Sequence, residues 1–91
     1  MTQAAKGHTN VMLREWIVER VALHVEMDPG ALSVSVPLAT YGLDSVVALS
    51  LCGDIEEKYG VELEPTVAWD YPTVEALADH LAGRLAGSTI R

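Results

Sequence analysis

The sequence predicts an all-α domain: a small four-helix bundle of three longer helices and one short helix, with a long ordered loop after the first. Three observations carry this expectation. Apolar residues recur at helical spacing in three separate stretches. Asp, Thr, Pro and Gly stand at the ends of those stretches as caps and breakers. Only one segment alternates as a strand does, and it has no second strand to pair with. A chain of 91 residues suffices for one small domain.

Residues 1–9 read as a flexible tail, residues 10–86 as the folded domain and residues 87–91 as a second tail. Asn10 is placed to cap a first helix that runs to about Glu26. Leu13, Ile17, Val21 and Val25 step along one face of it, widened by Trp16, Val18 and Ala22. Asp28-Pro29-Gly30 stops it, because Pro and Gly disfavour continuation and Asp favours a turn. The connection over 27–44 is long for so small a domain, and its Leu32 and Leu38 are expected to pin it to the core. A second helix opens at Asp44-Ser45 and closes at Tyr59, with Gly60 just past its end. Val47, Ala48, Leu51, Cys52, Ile55 and Tyr59 share its apolar arc. Thr66 to Asp70 makes one helical turn. Thr73 caps the last helix, whose buried face is Val74, Leu77, Ala78, Leu81 and Leu85. With no Phe in the chain, the core is expected to be aliphatic, helped by Trp16, Trp69 and the tyrosines.

Net charge is −7, and it is unevenly spread. Between Thr40 and His80 nine acids face one base, Lys58. Such a field repels nucleic acid and anionic membrane surfaces and favours basic protein partners. It also serves solubility. One cysteine, Cys52, gives neither an internal disulfide nor a cysteine zinc site, and its place in the apolar arc marks it as a small core residue. His24 and His80 have no metal-ligand spacing and read as edge-of-core or solvated residues. The polar start, Met1 to Asn10, lacks the apolar run of a signal peptide, and no stretch is apolar for the length of a membrane span. The expected compartment is the cytoplasm.

The chemistry-bearing candidate is Ser45, in Gly42-Leu43-Asp44-Ser45. A serine at the first turn of a helix is accessible, and it lies near unpaired N–H groups and the positive end of the helix dipole. Gly42 lets the chain turn into the helix, and Asp44 can cap it. Ser45 taken alone reads as an ordinary capping serine. A catalytic serine needs a base in reach, and neither that nor the strand–turn–helix elbow is evident here. On the far side of the same helix Val46, Leu49 and Gly53 lie beside Asp54 and Glu57, an apolar stripe framed by acids that suggests partner docking.

The stretch from Tyr41 to Leu81 resembles the carrier domains of polyketide synthases, within the wider acyl and peptidyl carrier family. Gly42, Leu43, Asp44, Ser45 and Val46 match the attachment motif. Ile55, Tyr59-Gly60, Leu63, Pro65-Thr66, Trp69-Asp70-Tyr71-Pro72-Thr73, Ala76-Leu77 and His80-Leu81 match further along at family spacing. The resemblance covers roughly residues 13–86. It implies that the protein is an acyl carrier rather than an enzyme. Its cofactor is 4′-phosphopantetheine, delivered from coenzyme A onto Ser45 by a phosphopantetheinyl transferase with its own magnesium. The partners implied are that transferase, an acyl-loading enzyme (an acyltransferase or an acyl-adenylate ligase) and a ketosynthase or other synthase domain. No nucleic acid or membrane is expected among them, and the chain is expected to be a monomer. A peptidyl carrier is the nearest alternative. The Leu43-Asp44 pair favours the acyl side. A helical interaction module with Ser45 unmodified is a further alternative.

Overall fold

The computed structural model describes residues 2–90, and the side chains of residues 10–85. Four α-helices follow one another: α1 (Thr2–Val25), α2 (Ser45–Tyr59), the single turn α3 (Val67–Asp70) and α4 (Val74–Ile90). No strand occurs among the described residues. The all-α bundle with three longer helices and one short one is therefore as the sequence predicts. The tails expected at 1–9 and 87–91 fall on residues whose side chains lie outside the described set.

Helix α1 begins at Thr2, ahead of the Asn10 cap expected from the sequence. The residues before Asn10 include Gln, Ala and Lys, good helix formers, and no Pro. Asn10 is thus inside the helix, and its Nδ2 donates across to Asp79 Oδ1 of α4 at 2.7 Å. The helix ends at Val25, and Glu26 just past it takes a left-handed φ of 60°. Met27 N–H then closes back on the Ala22 carbonyl at 2.9 Å, the wrap that satisfies an otherwise orphaned helix end.

The long loop is ordered by its own hydrogen bonds. Asp28 accepts from the Gly30 N–H at 3.1 Å and opens a 3₁₀ turn over Pro29–Ala31. The Ser33 N–H donates to Tyr41 Oη at 2.9 Å. Leu38 N–H donates to the Pro72 carbonyl at 2.8 Å, and Glu75 N–H to the Val34 carbonyl at 3.0 Å, so the loop is tied to the start of α4. Leu32 and Leu38 are buried, as expected.

The core gathers Leu13, Ile17 and Val21 of α1, Leu51 and Ile55 of α2, and Val74, Leu77 and Leu81 of α4 around Leu38. Helix α1 packs on both α2 and α4, and α3 leans on α2. Val25, Val47, Tyr59 and Leu85 close the margin as half-buried residues. Trp16 meets Tyr59 edge-on, with ring centroids 5.5 Å apart. Trp69 departs from its expected place in the core: it is 45% exposed. Helix α3 has only one turn, and Val67 and Ala68 occupy its inward positions, which leaves the next residue outside.

Candidate functional site

Each residue of the Gly42-Leu43-Asp44-Ser45 run has a separate local task. A 3₁₀ turn over Leu38–Tyr41 brings the chain to Gly42, whose φ of 100° is a backbone state that side chains with a Cβ disfavour. Leu43 is 5% exposed and anchors the turn in the core. Asp44 is extended, and its Oδ1 accepts from the Val47 N–H at 2.9 Å as the cap of α2. The Asp44 carbonyl takes the first helical bond from Ala48 N–H, at 2.8 Å. Ser45 is then the first residue of α2, and it is exposed.

With the turn anchored by Leu43 and the helix capped by Asp44, the Ser45 hydroxyl is left for outside chemistry. No hydrogen bond joins Ser45 Oγ to another group among the described residues. The N–H groups of the first turn that α2 cannot itself pair lie beside it, along with the positive end of the helix dipole. A phosphodiester fits such a place: nothing buries the oxygen, and the local field favours an anion.

His24 and His80, the histidines whose side chains are described, are engaged elsewhere. His80 stacks on Tyr71, with centroids 4.1 Å apart and planes 14° apart. His24 Nε2 lies 2.8 Å from Asp54 Oδ2. Neither is arranged as a base for Ser45. No group of His, Cys, Asp and Glu with metal-binding arrangement occurs among the described residues. No described helix is long and apolar enough to cross a membrane.

On the outer side of α2, Val46 is 71% exposed and Leu49 56% exposed, and Gly53 and Glu57 are exposed with them. Asp54, grouped with this stripe in the sequence, faces α1 instead. Arg20 donates to Asp54 Oδ2 from Nε at 3.1 Å and from Nη2 at 3.0 Å, and His24 shares the same oxygen. Asp54 adjoins the fully buried Ile55, so it sits at the seam between the core and the outer face. Partial burial alone would raise its carboxyl. The hydrogen bonds from His24 and Arg20, and their charges, outweigh that and hold it below the usual carboxylate range. Cys52 is buried beside the 60–66 segment, its Sγ 4.0 Å from the Glu64 carbonyl, and burial and then the Glu56 charge push its thiol up. The exposed Trp69 was not foreseen as a surface residue, because a one-turn helix has too few residues to show a periodicity.

Comparison with known proteins gives a consistent result. A family model described as "Phosphopantetheine attachment site" matches residues 15–81. The chain is 35% identical over 71 residues to 5-methyl-1-naphthoate synthase of Streptomyces sahachiroi, covering 78% of this chain and 4% of that protein. Among solved structures, a free-standing peptidyl carrier protein from a secondary metabolic pathway of Acinetobacter baumannii superposes with a TM-score of 0.82. It has 41% identity, covering 84% of this chain and 95% of that one. The acyl carrier protein LipD of Actinoplanes friuliensis gives a TM-score of 0.69 and 43% identity, covering 85% and 86%. A capped, serine-headed helix in an all-α bundle, within a stretch matched by that family model, leaves one assignment: the chain belongs to the phosphopantetheine-attachment family, as a carrier domain that bears 4′-phosphopantetheine and is not itself a catalyst.

Proposed function

We propose that Ser45 is the attachment residue and that the chain carries acyl intermediates of polyketide or fatty-acid-type biosynthesis as thioesters. The observation that carries this reading is the exposed Ser45 hydroxyl at the head of α2, held there by the Gly42 turn, the buried Leu43 and the Asp44 cap. In the loading step a phosphopantetheinyl transferase removes the hydroxyl proton. Ser45 Oγ forms a bond to the phosphorus that bears the pantetheine arm. The pyrophosphate bond of coenzyme A breaks and adenosine 3′,5′-bisphosphate leaves. The arm's thiol then takes an acyl group from an acyltransferase or an acyl-adenylate ligase and presents it to a ketosynthase or another synthase domain. The thioester keeps the acyl carbon electrophilic, and the tether raises its effective concentration at each partner. Partners read the exposed face of α2 with Trp69 of α3, in an acidic field of net −8 between Thr40 and His80. The carrier works as a monomer in the cytoplasm, where coenzyme A is at hand.

The test is incubation with a transferase and coenzyme A, followed by intact-mass measurement. One added phosphopantetheinyl group supports the reading, and no addition favours an unmodified interaction module. The likeness to a peptidyl carrier at 41% identity favours a second reading, aminoacyl cargo. Offering the loaded carrier to an acyl-adenylate ligase and to an amino-acid-activating enzyme separates the two by the mass gained.

A further inference from the structure

Tyr41 immediately precedes Gly42, and its side chain meets two different parts of the fold. The ring is half-buried against the core. The hydroxyl oxygen accepts the Ser33 N–H at 2.9 Å, from eight residues back in the chain. Among the described residues this is the bond that joins the first part of the loop, 27–36, to the second, 37–44. The loop's other bonds stay within one part or run to a helix. Two of those make the Tyr41 contact part of a closed circuit. From Ser33 the chain passes to the Val34 carbonyl, which takes the Glu75 N–H at 3.0 Å. From Glu75 it leads back to the Pro72 carbonyl, which takes the Leu38 N–H at 2.8 Å. Leu38 opens the 3₁₀ turn that ends at Tyr41, and its carbonyl takes the Leu43 N–H at 3.3 Å. The circuit is thus continuous with the run that leads to Ser45. Burial of Leu43 is a non-directional anchor, whereas hydrogen bonds are directional, so the circuit adds orientation to that anchor.

We propose that Tyr41 is a positioning residue for the loading of Ser45: through its hydroxyl bond to Ser33 it sets the direction in which the Gly42 turn delivers the Ser45 hydroxyl to the phosphorus. The inference rests on the carrier reading above and adds to it a residue that acts through the loop. The Tyr41 oxygen is spent on the Ser33 backbone, so its influence on the reaction runs through geometry. Placement of the attacking oxygen bears on the chemical step, where a displacement of about 1 Å can cost up to about a hundredfold in rate. The loss on breaking the bond therefore falls on kcat, while the surfaces that bring the two proteins together, and with them KM, are untouched.

The test compares wild type with Tyr41→Phe, Ser33→Ala and Ile17→Val. Initial rates of coenzyme A-dependent modification by a phosphopantetheinyl transferase are measured against carrier concentration, with a melting curve for each protein. Tyr41→Phe keeps the ring and removes only the acceptor. Its melting temperature should fall by no more than about 4–8 °C, the shift expected for one lost hydrogen bond in a domain of this size. Well below that temperature its kcat should fall about tenfold with KM within about twofold of wild type. Ser33→Ala keeps the backbone N–H that Tyr41 accepts, and should react as wild type does. Ile17→Val trims a buried residue of α1 and destabilises the fold by a comparable amount without touching the loop, so its kcat should also match wild type. Wild-type kcat in Tyr41→Phe overturns the proposal, as does a defect that lies in KM. An equal loss of kcat in Ser33→Ala or in Ile17→Val overturns it too, since the effect would then belong to the loop's side chains or to stability at large. If wild type accepts no group, the carrier reading fails and the proposal falls with it. Normal loading of wild type and of Tyr41→Phe alike overturns only the positioning role.

Discussion

Asp54 takes three hydrogen bonds on one oxygen, from Arg20 twice and from His24, and so clips α2 to α1. Its carboxyl is held below the usual range, so its contribution to stability is present above the unfolded-state value of about 3.9. That contribution is lost as the pH falls through the lower value of the folded protein. Asp54→Asn should therefore melt below wild type at about pH 5, with the gap closing as the pH drops below about 4. An unchanged gap down to acid-unfolding conditions would mean that the clip's charge contributes nothing. In the core, Leu51 and Ile55 have essentially no exposed surface. Truncating either to Ala should destabilise the protein by about 2–5 kcal/mol, read as a fall in the denaturation midpoint. The Gly42–Ser45 run is legible in the sequence because each of its tasks is local: a positive-φ turn at Gly42, an apolar anchor at Leu43, a cap at Asp44. The engagement of Asp54 was not, because its partners lie 30 and 34 residues away on another helix, and helical phase alone puts it on the border between two faces.

Among the elements, α2 has two sides of different character. Ala48, Leu51, Cys52 and Ile55 build the core, while Val46, Leu49, Gly53 and Glu57 stay outside. Charge and apolar surface on that outer side act on different rates. Exposed charge steers encounter, and apolar surface slows dissociation of the docked complex. Glu57→Lys should slow modification by a basic transferase, with the defect shrinking as added salt screens the field. Val46→Asp should weaken docking with little salt dependence, because the new carboxylate must be desolvated against an apolar patch. Melting curves should stay near wild type for both. If both variants react like wild type at every salt concentration, the outer side of α2 is only solvated surface. Helix periodicity made both sides of α2 readable from the sequence, since fifteen residues give four full turns of pattern. The start of α1 was less readable, because Asn10 has the chemistry of a cap yet its amide is spent on Asp79 across the bundle.

At the scale of the whole molecule, three packed helices and a hydrogen-bonded loop hold one serine at the surface. Leu38 N–H to the Pro72 carbonyl and Glu75 N–H to the Val34 carbonyl fasten the loop to α4, and the loop in turn delivers Gly42 and Leu43 to the head of α2. Between Thr40 and His80 nine acids face one base, so the proposed attachment hydroxyl belongs to a segment whose field favours basic partners. Everything rests on Ser45 being the place where the arm is attached. The direct measurement is the intact mass of wild type and of Ser45→Ala after exposure to transferase and coenzyme A, with circular dichroism to show that both are helical. The account predicts one phosphopantetheinyl group on wild type and none on the folded alanine variant. A group found on Ser45→Ala would contradict it.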